Sequence, residues 1–250
     1  MQTTTVDVPT GDGVADALLV RPDGAGPFPP VLVFMDAFGL RPRMAEMAET
    51  IAARGYVVLV PNLFHRFGRA PLVDLSGLGD ENRRGKLFEK LTPMIRSLTP
   101  DVVARDTAAY LDFLAAQPGV APGPAAVTGY CMGGTNALRA VEAHPDRIAT
   151  AAAFHAGRMA TDAPDSPHLG VGAVRGELYF GHADQDPSMT AEQIATLEKA
   201  LDAAGVTYRS EVYPGARHGY TQSDTPMYDE KATERHWTAL FDLLDRTFRR

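Results

Sequence analysis

Apolar positions along the chain come in short blocks of two kinds, and the kinds alternate. Compact runs at 31–35, 56–60, 148–154 and 178–180 have the length of strands buried on both faces. Between the first two, Met44, Met47, Ala48 and Ile51 recur at helical spacing, and Gly55 suits the left-handed position past a helix end. That succession has the spacing of a parallel βαβ unit. Two shorter strands are predicted ahead of it, around the turn Gly11-Asp12-Gly13, and a Pro- and Gly-rich break at 22–27 follows them.

Further along, Thr99, Pro100 and Asp101 supply a cap, a first-turn proline and an acid at a helix start. Val103, Thr107, Tyr110, Leu111 and Leu114 then share a face. A short strand at 125–128 leads into a helix predicted from about 132 to 143. Thr190 and Gln193 form a capping box before Ile194, Leu197, Leu201 and Ala204, with Gly205 as the stop. Residues 208–213 alternate as a strand, and Trp237, Leu240, Phe241, Leu244 and Phe248 form the stripe of a last helix. Between Asn62 and Thr99 no strand pattern occurs, and helical character is confined to about 82–90. The segment at about 63–99 is expected to be a lid or wall of a site, or else a surface excursion. The prediction is one α/β domain over 1–250, with a mainly parallel sheet and helices on both faces.

Composition narrows the function. Asp and Glu number 31 against 24 Lys and Arg, a net charge of −7 with no basic block, so nucleic acid and anionic membrane surfaces are not expected partners. No apolar run approaches the about 18–20 residues that span a bilayer. The first residues lack the charged and apolar regions of a signal peptide, and the single cysteine allows no internal disulfide, so a cytoplasmic protein is expected.

That cysteine stands in the sharpest motif of the chain, Gly129-Tyr130-Cys131-Met132-Gly133-Gly134, between a predicted strand and a predicted helix. Gly-x-Cys-x-Gly is a nucleophile elbow with sulfur in place of oxygen. A nucleophile on so tight a turn leaves no room for side chains two residues away on either side, which Gly129 and Gly133 satisfy. The helix start turns unpaired N–H groups toward the sulfur. The alternative is a buried structural cysteine. An elbow of this type takes an acid and then a histidine, in that order. Asp184 follows the strand at 178–180, and His218 follows the strand ending near Tyr213. Both fall at strand C-terminal ends, where parallel sheets carry their sites. Asp186 competes for the acid position, but Pro187 behind it favours a turn role. His182, Asp184 and Asp186 have no matching ligand cluster elsewhere, so no metal is expected. His144 and His236 are expected on helix surfaces, and His65, His155, His168 and His182 are pocket candidates.

Taken together, Gly-Tyr-Cys-Met-Gly-Gly, Gly-His-Ala-Asp-Gln-Asp and Pro-Gly-Ala-Arg-His-Gly-Tyr, in this order, resemble the dienelactone hydrolase family of α/β-hydrolases. The run 35–40, the stretch from Gly55-Tyr56 to Pro61-Asn62-Leu63 and the segment 228–237 are similar as well, so the resemblance covers nearly the whole chain. It implies an α/β-hydrolase fold and a Cys131–His218–Asp184 triad, acting on a small ester or lactone through an acyl-thioester without metal or organic cofactor. It also implies an oxyanion hole from the N–H groups of Ala37 and Met132, and a monomer. Family members commonly carry a Glu where this chain has Asp36, an acid linked there to activation of the thiol. Phe38 and Tyr130 are further site candidates by the same resemblance. The family's arginine shortly after the histidine is replaced by Gln222, leaving Arg83 and Arg84 as cationic candidates for a substrate carboxylate. The alternatives are a general carboxylesterase or thioesterase, a thiol redox sensor and a non-catalytic binding protein on the same fold.

Overall fold

The computed structural model describes residues 1–76, 78 and 80–249, the side chain of residue 81 aside. They group into two compact units, Met1–Gly123 and Pro124–Arg250.

In the first unit, β1 (Gln2–Thr10) and β2 (Gly13–Arg21) form the antiparallel hairpin predicted around Gly11 and Asp12. Strands β3 (Pro30–Phe34) and β4 (Val57–Pro61) are parallel, and every residue in them is buried. A strand covered on both faces needs apolar side chains at successive positions, which is why these segments are continuous runs. Helix α1 (Pro42–Ala52) joins them and buries Met44, Met47, Ala48 and Ile51. Met44, Met47 and Ile51 each contribute about 1.5–3 kcal/mol relative to exposure. Strand β2 pairs antiparallel with β4.

Helix α2 (Glu81–Arg96) is longer than the helical stretch predicted at 82–90. Its start is capped by Asp80, which accepts the Arg83 N–H. Exposed polar residues dominate its first turns, and its burial rests on Leu91 and Met94 near the end, so little periodicity marks it. Helix α3 (Pro100–Ala115) begins as predicted, with Thr99 accepting the Val102 N–H. It also buries Asp106, whose carboxylate receives two bonds from Arg66 at 2.8 Å. Arg66 reaches Asp12 in the hairpin turn as well, at 2.9 and 2.7 Å. Asp12, His65 and Asp106 bring ligand-type atoms within 4.8 Å of one another, but guanidinium groups already occupy the carboxylates. This is an ion-pair cluster that ties the hairpin to α3.

In the second unit, β5 (Ala125–Tyr130), β6 (Ile148–Phe154), β7 (Glu177–Gln185) and β8 (Tyr208–Arg217) pair in chain order, all parallel. Helix α4 (Met132–Ala143) links β5 to β6, and α5 (Ala191–Ala204) links β7 to β8. The Thr190–Gln193 capping box forms, and Gly205 ends α5 with a left-handed φ of 67°. Helix α6 (Glu230–Phe248) turns His236, Leu240, Leu243 and Leu244 inward. His236, expected on the helix surface, is fully buried. The Tyr130 hydroxyl meets its Nε2 at 3.0 Å and Phe154 packs edge-on to its ring, which offsets the cost of hiding an imidazole. Among the described residues no helix is long and apolar enough to cross a membrane.

Candidate active site

Four chemistry-bearing side chains leave the C-terminal ends of the four parallel strands of the second unit: Cys131 after β5, His155 after β6, Asp186 after β7 and His218 after β8. Cys131 is half-buried and heads α4 with φ 55° and ψ −123°, a left-handed backbone held by a non-glycine residue. Such strain persists only where the surroundings enforce it. The Cys131 N–H is held by the Phe154 carbonyl at 3.1 Å, and the Cys131 carbonyl receives the Gly134 N–H at 3.0 Å. A Cβ on Gly129 would collide with the backbone carbonyl of Gly133. The glycine before the cysteine is therefore a steric requirement of the elbow.

His218 Nε2 lies 3.0 Å from the Cys131 sulfur. Its Nδ1 lies 2.6 Å from Oδ2 of Asp186. The acid behind the imidazole is thus Asp186, and the expected Asp184 is not beside it. Strand β7 runs on through Gln185, with a register shift between Ala183 and Gln185. That irregularity leaves Asp184 exposed, where its Oδ2 accepts the Gly215 N–H at 2.9 Å. Asp186 is buried just past the strand end. Its other oxygen, Oδ1, accepts the Ser188 N–H at 2.8 Å and the Ser188 hydroxyl at 2.6 Å. The turn role read from Pro187 is real, but it uses only one carboxylate oxygen.

Electrostatics follow from these contacts. Burial works against a charged ring at His218, but the Cys131 sulfur and the Asp186 carboxylate outweigh it and hold the imidazole well above its ordinary value. Burial also works against the charge on Asp186, and the bonds from His218 and Ser188 still hold its carboxyl below the usual range. Burial pushes His182, beside this pair, down to about 4, with Asp186 pulling the other way.

Residues expected around this core take distinct places. Met132 is the first residue of α4, next to the sulfur-bearing residue. Tyr130 is fully buried and directs its hydroxyl to His236. Gln222 is buried, and its amide nitrogen donates to Thr221 Oγ1 at 3.0 Å. In the first unit, Asp36 is buried with both oxygens on Arg41, at 2.7 and 2.9 Å, and also accepts the Phe38 N–H. It therefore acts as the clamp of its own loop. Ala37 is buried inside that clamp. Phe38 is half-buried, with the Arg41 guanidinium 5.6 Å from its ring centre and Phe88 of α2 tilted against it at 6.4 Å. Arg83 and Arg84 are exposed on α2.

Ser188, Arg41 and Thr221 carry no sequence signal of their own. Each is found through the partner it holds. The only advance hint for Ser188 was the turn propensity of Asp186-Pro187.

Residues 15–248 match the profile of the Dienelactone hydrolase family. A protein of Synechocystis sp. provisionally named a carboxymethylenebutenolidase is 26% identical over 95% of this chain and 94% of its own length. A crystal structure from Klebsiella pneumoniae, provisionally titled a dienelactone hydrolase, superposes with a TM-score of 0.83 at 21% identity over 97% of both chains. A solved structure titled m3DLH gives a TM-score of 0.82 at 27% identity, covering 99% of this chain and 98% of its own. The fold is that of the α/β-hydrolases.

Proposed function

The chain belongs to the dienelactone hydrolase family and is a hydrolase acting on ester or lactone bonds, and we propose that it works through Cys131 as nucleophile, His218 as acid and base, and Asp186 as the orienting carboxylate. The observation that carries this reading is the line of contacts from sulfur to Nε2 at 3.0 Å and from Nδ1 to Oδ2 at 2.6 Å, set on a strained elbow at a helix start.

In this reading His218 holds the proton of Cys131 while the sulfur attacks the carbonyl carbon. The C=O electron pair moves onto oxygen, and the tetrahedral oxyanion is received by the Met132 N–H and, as the family resemblance implies, the Ala37 N–H. Losing one donor of such a hole costs about 2.7–4 kcal/mol. Collapse breaks the acyl–oxygen bond, and the alkoxide takes the proton from His218. In a lactone that alcohol stays tethered to the acyl group. Water then gives a proton to His218 and attacks the thioester, and the acid departs as the sulfur is regenerated. Asp186 keeps the imidazole in the tautomer that both half-reactions need. The substrate is a small ester or lactone, and the position four residues after His218 offers a carboxylate no cation, since Gln222 stands there and donates its amide to Thr221.

The test is turnover of an activated aryl ester by the wild type and by Cys131→Ala. Loss of turnover with an unchanged thermal transition is expected, together with complete inactivation of the wild type by one equivalent of iodoacetamide. Full activity in Cys131→Ala rejects the nucleophile. Rapid sulfenic acid formation by peroxide with no ester turnover in the wild type favours a redox sensor instead.

A further inference from the structure

His155 is fully buried directly after β6, and the proposed chemistry gives it no task. It holds a left-handed φ of 39°, a conformation that strains a non-glycine residue. Its N–H is fixed to the Gly181 carbonyl at 2.8 Å. The ring this strained backbone presents stands edge-on to His218, with centroids 5.4 Å apart at 67°. Tyr220 flanks it on another side, at 4.9 Å and 79°, and directs its own hydroxyl to the Gly181 carbonyl. Nε2 of His155 shares a hydrogen bond of 2.8 Å with Thr221 Oγ1. Thr221 also receives the Gln222 amide. Both residues belong to the loop that follows His218. The imidazole therefore touches the reacting histidine with its ring and grips the histidine's loop with its nitrogen.

We propose that His155 is a positioning residue for His218, holding the ring and its loop at the distance from Cys131 that proton transfer requires, with Thr221 as its polar partner. The inference rests on the reading of His218 as the acid and base of the reaction. A phenyl ring would supply the edge contact without the hydrogen bond, and an aliphatic side chain would supply neither. Burial, together with the neighbouring rings of His218 and His236, holds His155 well below its ordinary value. The ring is therefore neutral and adds no cation beside a histidine that must itself become charged. Gln222 also gains an explanation: where the family resemblance expects a substrate-binding arginine, this chain uses the position to brace Thr221.

The experiment compares His155→Phe, Thr221→Val, Thr221→Ser and the double variant His155→Phe/Thr221→Val. Kinetics are read on an activated aryl ester, and alkylation of Cys131 by iodoacetamide is read without any ester. A misplacement of about 1 Å can cost about a hundredfold, and a partly released ring is expected to cost about tenfold. His155→Phe and Thr221→Val should each lower kcat about tenfold with KM within twofold, and both should slow alkylation. The double variant should lose no more than either single one, and Thr221→Ser should restore the wild-type rate. Wild-type kcat in folded His155→Phe overturns the proposal. So does a loss that Thr221→Ser fails to rescue, or one that only follows a drop in folded fraction. If the wild type turns over no ester, the hydrolytic assignment of His218 fails, and the alkylation rates still decide whether His155 positions it: equal rates in all variants overturn that role.

Discussion

Asp184 and Asp186 have the same strand parity, and side-chain alternation alone cannot choose between them. The register shift at the end of β7 makes the choice, turning Asp184 outward to the Gly215 N–H and leaving Asp186 inside. Nothing in Ala-Asp-Gln-Asp-Pro announces that shift, so the acid that faces away from His218 is the more legible one. The turn signal at Pro187 misleads for a second reason. A carboxylate has two oxygens, and Asp186 gives one to Ser188 and the other to His218. The two acids therefore separate cleanly by substitution. Asp186→Asn keeps the shape but favours the wrong imidazole tautomer, and kcat is expected to fall on the order of 10³–10⁴-fold. Asp184→Asn should stay within about twofold, since an exposed acceptor to one N–H is all that it alters. Steady-state turnover of the same ester by both variants checks the pair, and the reverse order would return the role to Asp184. The meeting of Cys131 and His218 is legible for the opposite reason. The glycine pattern around one and the strand ahead of the other are consequences of backbone geometry, and backbone geometry leaves marks in sequence.

At the scale of elements, ends were easier to read than middles. The caps at Thr99 and Thr190 and the stop at Gly205 are single-residue signals with local causes, and each forms as predicted. Helix α2 is only half legible in the sequence, because its exposed turns carry no apolar period. Helix α4 carries a feature that no pattern reveals. Glu142, near its end, packs against Gly170, and its Oε1 is buried with no hydrogen-bond partner among the described residues. Burial pushes this carboxyl up to about 8, against the opposing pull of Arg139 one turn earlier. The sign of the consequence is fixed. Between its ordinary value of 4.5 and about 8, the folded protein keeps a proton that the unfolded chain has released. Stability attributable to this site therefore falls as pH rises through that window. Glu142→Gln, neutral at every pH, should remove the effect. Thermal melts at pH 5 and pH 8 are expected to show a smaller loss of Tm for the variant than for the wild type, with the variant the more stable of the two at pH 8. Parallel pH dependence in the two proteins would place the penalty elsewhere.

For the whole molecule, the α/β class was legible because strands buried on both faces demand uninterrupted apolar runs, and the runs at 31–35, 56–60 and 148–154 supply them. What the runs do not encode is which charges are already spent. The chain carries a net charge of −7, and two of its buried or half-buried arginines serve acids of their own: Arg41 holds Asp36, and Arg66 holds Asp12 and Asp106. An anionic lactone therefore approaches a molecule whose long-range field opposes it, and it meets a site whose expected cation is replaced by a braced Gln222. Salt screens the field over about 8 Å at physiological strength. Raising ionic strength from low to physiological should thus increase kcat/KM for a carboxylate-bearing lactone and leave that for a neutral aryl ester unchanged, with the neutral ester within about tenfold of the lactone. Exposed cations on α2 make the opposite outcome informative. If salt lowers kcat/KM for the anion, a cationic grip exists after all, and Arg83→Gln and Arg84→Gln should abolish that salt dependence while sparing the neutral ester.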